Sequence, residues 1–500
     1  MPDVSRHLRP RDGSAQPTTP VELLFDLVYV IAITQLSHLV IDHQVSLESV
    51  AHASFLLLVV WWAWIYTTWM VNFFDPSSGA VRLVLMLCGL ASLMMSAALP
   101  RAFADRALLF AGCYVALQFG RNASGALLLD RTHGRTHGLS DTFERLTAWS
   151  AVSGVLWILG GTAGSTDRMA WWGPALAVDL LAPAVGYWLP GRGRVRTDAW
   201  SVEGSHFAER CQAFIIIALG ESIAVTALSA SAGSLRGGAL LALGVAFVET
   251  GALWWLYFGE VAERSRRQLA KAEDPGQLAR DAYTYLHLPI VAGIIMVAVA
   301  NAFLTLHSGR RAGGPVTIML VGGPALYLIG DSLFRLRMIG SVSPKRIGAI
   351  VVVCALGALS PVVSTFILAL CVTGVLTGLA LAEYEPLIRR LRPGGTSTVA
   401  QGPAEPGGSG ASAGPAHEQG HRQPETSDPD DDSQRTLGKD PDDRRAAPAA
   451  GQSTDAESGG IGPVHGGDDR EDDASDSIGR PGGDVLDRVG DRERLDGLQG

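Results

Sequence analysis

Read for apolar and polar positions, the chain is a series of apolar runs of 18–24 residues between residues 21 and 386, separated by short polar loops. A helix needs about 20 mostly apolar residues to cross a bilayer. Length and apolar content predict twelve spans, at 21–41, 54–71, 81–99, 106–129, 146–164, 170–189, 208–230, 237–258, 284–306, 315–334, 346–360 and 361–382. The last two form one run broken by Pro361. The predicted fold class is therefore an all-α polytopic membrane protein. Residues 1–20 form a polar N-terminal segment, 21–386 the transmembrane helical domain, and 393–500 a polar tail. The first apolar run has internal acids and no small-residue cleavage site, which reads as a retained helix and not a signal peptide.

The first run, VELLFDLVYVIAITQLSHLVI, departs most from a plain span. At about 100° per residue, Glu22, Asp26, Tyr29 and Ile33 share one face, and Ile31, Thr34, Gln35, His38 and Asp42 the other. An ionised side chain at membrane depth costs about 2.5–3.5 kcal/mol. A helix polar on both faces is expected to offer no free side to lipid. Further polar residues interrupt later spans: Arg121, Asp179, Arg210, Glu221, Glu249, His287 and Asp331. Arg210 and Glu221 share a helix face but lie about 16 Å apart at 1.5 Å per residue, so they do not pair. Gly220 beside Glu221 is expected to let a neighbouring helix approach closely.

Two readings of these residues stand together. One is a polar route for cations or protons, since buried acids outnumber buried bases. The other is a static network, with Arg121 paired to Asp179 and Arg210 to Asp26 or Glu22. For His38 and His287 taken singly, interfacial hydrogen bonding outweighs a proton relay. The tryptophans (Trp61, Trp62, Trp64, Trp69, Trp171, Trp172, Trp254, Trp255) read mostly as anchors at span ends.

Charge separates the membrane part from the tail. Residues 401–500 hold 23 Asp+Glu and 10 Lys+Arg, a net of −13. The whole chain is −9, which leaves +4 for residues 1–400. Loops on one side of the predicted spans carry 21 Lys+Arg and those on the other 6, so the positive-inside rule places both termini in the cytoplasm. The Gly-, Pro-, Ser- and Asp-rich tail cannot bury a core and is expected to be disordered. The five cysteines sit inside apolar segments without C-x-x-C spacing, which predicts buried thiols.

The chain also hints at two parallel six-span repeats, 21–190 and 206–386. VELL opens span 1 and AERC span 7, and WWAWIYTTW closes span 2 and WWLYF span 8. Tyr114 and Arg121 in span 4 parallel Tyr327 and Arg335 in span 10, and ERLTA and KRIGA open spans 5 and 11.

No Gly-rich phosphate loop, HExxH or G-x-S-x-G occurs. The Gly-Glu-Ser at 220–222 lacks the strand–turn–helix context of a nucleophile. His133 and His137 lie in a basic loop without the acids a metal site needs. The expectation is no enzyme, no cofactor and no metal. The basic loops are explained by topology, so nucleic acid is not an expected partner. The bilayer is, with monovalent cations or protons as cargo and a homo-oligomer compatible with the pattern.

VELLFDLVYVIAITQLSHL, ERCQAFIIIALGESI and YTYLHLPIVAGI resemble the bacterial low temperature requirement A family over residues 20 to about 385. The resemblance implies a multi-spanning inner-membrane protein with no settled activity. Span 1 is also similar to the first helix of endolysosomal-type potassium channels with a Phe-Ser-Asp motif, through Glu22, Asp26, Val28, Ile31, Ala32, Ile33 and Thr34. Leu24-Phe25 stands where Phe-Ser would, and no Asp follows Glu209 by four residues. That likeness implies a packing and gating role for Asp26 and a constriction near Ile31. The leading function is transport, as a cation channel or a cation/proton-coupled carrier. A scaffold or sensor for cold or envelope stress is the alternative, and a membrane-embedded enzyme a third.

Overall fold

A computed structural model describes residues 7–391 apart from 12–15, 130–136, 196–201, 233–236, 260–264, 266, 270–271, 308 and 312; side chains of 137, 232, 307 and 385–391 are also outside the description. The expected tail and His133 fall outside the described residues. Among those described there is no strand, and three isolated bridges are the only β pairing.

The helices are α1 (Pro20–Asp42), α2 (Leu47–Phe73), α3 (Gly79–Ala98), α4 (Ala107–Leu128), α5 (His137–Thr162), α6 (Arg168–Leu181), α7 (Gly204–Ala232) and α8 (Gly237–Phe258). They continue with α9 (His287–His307), α10 (Gly314–Ile339), α11 (Pro344–Leu356) and α12 (Thr365–Leu391). A π-helical turn, Ala279–Tyr285, leads into α9. Each predicted span overlaps one helix. Eight stretches among the described residues are long and apolar enough to cross a membrane. They are α1, α2, α3, α7, α8, α9 with its leading turn, α10 and α12.

The remaining four depart from the expectation for physical reasons. α6 has 14 residues and α11 has 13. At 1.5 Å per residue each is about 20 Å long, short of a 30 Å hydrocarbon core. α6 stops at Leu181 because Pro183 follows, which disfavours helix at the preceding residue. α4 carries Gln118, Arg121 and Asn122 together, and α5 begins with Asp141, Glu144 and Arg145. The break at Pro361 separates α11 from α12 as expected.

Packing follows one order in each half. In the first, α1 meets α3, α3 meets α4, α4 meets α5 and α5 meets α6; in the second, α7, α9, α10, α11 and α12 do the same. α2 packs on α1 and α8 on α7, and α1 packs on α7. The closest approach to a neighbouring backbone is between α9 and α10. A Cβ on Gly293 would stand 2.6 Å from the Tyr327 nitrogen and 2.7 Å from the Gly323 oxygen. Small residues allow such contact, and dispersion between close backbones then holds the pair in a bilayer. Gly220 does not act this way, since a Cβ there would meet nothing within 4 Å.

Trp61, Trp62 and Trp64 are not anchors. All three are buried, with Trp61 Nε1 donating to the Thr284 carbonyl at 2.7 Å. Trp172 is buried too, whereas Trp171, Trp254 and Trp255 face outward as belt residues do. Cys88 and Cys211 are buried as expected, but Cys113 is half-buried and Cys354 and Cys371 lie on the outer surface. Apolar segments on the rim of a bundle put their thiols toward lipid.

Candidate functional site: the polar seam between α1 and α7

The seam begins where Glu22 starts α1. Its Oε2 accepts from the Thr19 backbone N–H and hydroxyl, both at 2.7 Å, which satisfies donors that every helix start leaves open. Its Oε1 meets Arg9 Nη2 at 3.0 Å and His206 Nε2 at 2.7 Å. Arg9 comes from the N-terminal arm. The arm pairs with the end of α2, through Arg9 N–H to the Phe73 carbonyl and Asp75 N–H to the His7 carbonyl. Arg9 Nε also donates to the Val71 carbonyl at 2.6 Å. Arg9, Glu22 and His206 are all buried.

One helical turn further, Asp26 Oδ1 stands 2.8 Å from Arg210 Nη2 and accepts from Trp64 Nε1 at 2.7 Å. The Arg210 contact is an ion pair by distance without hydrogen-bond alignment, since none of the guanidinium nitrogens has a hydrogen-bond partner. The cation instead lies 5.9 Å from the ring centres of both Phe25 and Trp64. This is the Arg210–Asp26 pair of the static reading. Glu22, Asp26, Tyr29 and Ile33, the face assigned to packing, are all buried.

The opposite face of α1 corrects the expectation of a fully wrapped helix. Leu24, Leu27 and Ile31 are exposed, Ile31 by 38%. In a single chain Ile31 lies on the outer surface and not in an interior constriction. The reason is that the buried face alone accommodates both acids, which frees the other side. Gln35 and His38 are half-buried, and His38 Nδ1 lies 3.9 Å from Asp42. Glu221 of α7 is buried and faces Thr34 and His38.

The other polar residues form separate groups. Arg121 and Asp179 do not pair. Arg121 reaches Gln118, Thr67 Oγ1 at 3.3 Å and Asn122 Oδ1 at 3.3 Å, and its cation lies over the Tyr66 ring. Asp179 accepts from Tyr114 at 2.9 Å and Trp157 at 3.0 Å. Gln118 Nε2 donates to the Tyr114 hydroxyl at 2.9 Å, so one amide links the two charges. Neutral acceptors surround Arg121 and neutral donors surround Asp179, which removes the need for direct contact. His287 Nε2 meets the Tyr257 hydroxyl at 2.8 Å and its ring stacks on Tyr283. Asp331 pairs with Arg346, whose guanidinium also holds Glu383 at 3.0 and 2.9 Å. Glu249 of α8 is buried and faces Asn301 of α9.

Sequence reasoning missed Arg9, His206, Arg346 and Glu383. Arg9 and Arg346 lie in stretches counted as loop charge, yet both are buried. A signal was available: Arg9 precedes Pro10 and a Thr-Pro-x-Glu capping pattern, which fixes the arm beside the first acid. Among the described residues no three His, Cys, Asp or Glu side chains converge as a metal site would need.

Residues 17–381 match the sequence model described as Bacterial low temperature requirement A protein (LtrA). The chain is 34% identical over 367 residues to the uncharacterized protein RA0937 of Rhizobium meliloti (strain 1021), covering 73% of this chain and 88% of that one. No solved structure matches. A bundle of apolar helices, and a family match that spans the helices from α1 into α12, make this a multi-pass membrane protein. The chain belongs to the bacterial low temperature requirement A family.

Proposed function

We propose that the protein moves cations across the cell membrane, as a cation channel or a cation/proton-coupled carrier. In this reading all twelve helices belong to the membrane domain, arranged as two parallel six-helix repeats with both termini in the cytoplasm. The shared packing order of the two halves supports the repeats. Reporter fusions after Arg145 and Lys271 should read cytoplasmic and one near Ser165 external.

The observation that carries the reading is Glu221. The acids at one end of the seam, Glu22 and Asp26, are neutralised by Arg9 and Arg210. Glu221, deeper in the same seam, faces a hydroxyl and an imidazole, and forms no ion pair with an Arg or Lys among the described residues. A carboxylate held at membrane depth without a fixed counter-charge attracts a mobile one. The stripe of Thr34, Gln35 and His38 is half-open in one chain. A second copy covering it would exclude lipid and complete the path, so a homo-oligomer fits this reading. The chain carries no enzymatic chemistry in it and needs no cofactor or nucleic acid.

The test is Glu221→Gln, which keeps shape and hydrogen bonding but removes the charge. The variant should fold, run as wild type in gel filtration, and lose cation flux in liposomes. Wild-type flux in the variant would place Glu221 in the structural network. A wild type that moves no cation would favour a membrane scaffold or sensor for cold or envelope stress.

A further inference from the structure

We propose that Glu249 of α8, with Asn301 of α9, forms a proton-carrying site in the second half of the bundle. The proposal rests on the transport reading above and names a cargo for it. One carboxylate oxygen takes up one proton and later releases it; no other bond is made or broken.

The argument starts from how this protein treats its other buried acids. Glu22 has Arg9 and His206, Asp26 has Arg210 and Trp64, Asp179 has Tyr114 and Trp157, and Asp331 has Arg346. Each of these four has a base or two donors that fix the anion, and Glu221 faces Thr34 and His38. Glu249 has neither. It lies 12 residues into the 22-residue α8, near mid-span, and is 4% exposed. The helices packed on α8 are α7, α9 and α12. Among the described residues no Arg, Lys or His of these helices forms an ion pair with the carboxyl, and Asn301 of α9 faces it. Asn301 is 1% exposed, and its Nδ2 makes no aligned hydrogen bond. A buried carboxyl and a buried amide therefore face each other with capacity unused.

An amide suits a carboxyl that changes protonation state. Its N–H₂ donates to the carboxylate, and its oxygen accepts from the carboxylic acid, so both forms find a partner. An arginine would serve only the anion and lock it. The same pair is poorly suited to a metal cation. Stripping water from one requires a shell of several oxygens, as carbonyl rings supply in selectivity filters. One carboxyl and one amide fall short of that, and no third acid or histidine converges with Glu249 among the described residues. A proton needs one acceptor. α9 also packs against α1 and α7, so Asn301 sits on the helix that joins Glu249 to the Glu221 seam. If burial alone were wanted at position 249, an apolar residue of similar volume would serve at least as well.

Two measurements on the full chain decide the matter. The first is labelling of native membranes with dicyclohexylcarbodiimide, an apolar reagent that needs a protonated carboxyl. The acid proton moves to a reagent nitrogen, the carboxylate oxygen bonds the central carbon, and the acyl group then shifts to nitrogen without loss of atoms. Mass spectrometry should find the adduct on Glu249 and not on the paired Glu22 or Asp26. Absence of an adduct at Glu249 overturns the proposal. The second uses liposomes holding a pH-sensitive dye, with an imposed membrane potential. Wild type and Glu249→Asp should carry protons, and folded Glu249→Gln should fall to the level of empty vesicles. Proton movement by Glu249→Gln at the wild-type rate overturns the site. Potassium or sodium flux without proton movement overturns the site and leaves the transport reading intact. No movement of any cation sinks both.

Discussion

Replacing Asp26 by alanine tests whether the α1–α7 contact is built on charge. Arg210 Nη2 then loses the carboxylate 2.8 Å away, and Trp64 Nε1 loses its acceptor. Arg210 has no second anchor, because Nε and Nη1 make no hydrogen bond. What remains is the face of two aromatic rings, worth about 2 kcal/mol when desolvated. Stripping one partner from a buried ion pair costs about 3–5 kcal/mol, because the other charge stays behind. Asp26→Asn should cost less, about 1.5–3 kcal/mol, since an amide oxygen still accepts from Trp64 and can face Arg210. Asp26→Leu combined with Arg210→Met should recover most of the loss, since the uncompensated charge is gone. The assay is folded yield in mild detergent by fluorescence-detected gel filtration, followed by thermal midpoints, read as a double-mutant cycle. An Asp26→Ala protein that matches wild type in both would refute the charge argument. So would a double variant whose loss is the sum of the two single ones.

Arg9→Ala should also lower the thermal midpoint, because it leaves Glu22 paired with His206 and the Thr19 donors but no arginine, and frees the arm from the Val71 carbonyl. Differential scanning fluorimetry measures it, and an unchanged midpoint would show that the arm is dispensable. Gly293→Ala should force α9 from α10 and cost about 1–3 kcal/mol or more in stability, while Gly220→Ala, with open space at its Cβ, should leave the midpoint unchanged. Equal effects at the two sites would contradict the helix contacts described. Truncation after Pro393 should leave insertion and heat stability as they are, because the tail has no apolar run to offset ordering costs of about 1–2 kcal/mol per residue; loss of insertion in a membrane-fractionation assay would show otherwise.

The helices were legible because apolar run length reports directly on membrane-crossing length. The buried face of α1 was legible for a related reason: 100° periodicity placed Glu22, Asp26, Tyr29 and Ile33 together, and all four are buried. The exposed side of α1 was not, because periodicity sorts residues into faces without saying which face a neighbour covers. Arg121 and Asp179 show a second limit. Charge complementarity suggested a pair, but Gln118, Tyr114 and Trp157 satisfy the two groups separately. Neutral hydrogen-bonding side chains are too common in sequence to signal this. Arg346 shows a third: basic residues at helix ends obey topology and burial alike, and position alone does not distinguish them. Trp61, Trp62 and Trp64 mislead in the same way, since belt and core both favour tryptophan.

The docking of the N-terminal arm bears on how the chain is made. Glu22 meets His206 across 184 residues of sequence, and Asp26 and Arg210 are separated by the same interval. At about 5–20 residues per second, synthesis leaves α1 without its basic partners for about 10–40 s. During that time a helix with two acids is a poor occupant of lipid. α1 leaves the ribosome well before α7 and is thus late to settle, and a nascent chain stopped before α7 should be a substrate for membrane quality control. Arg9 shortens the wait for Glu22, because it emerges first. Asp26 has no such early companion, so the arrival of Arg210 is the step that commits α1 to its final depth.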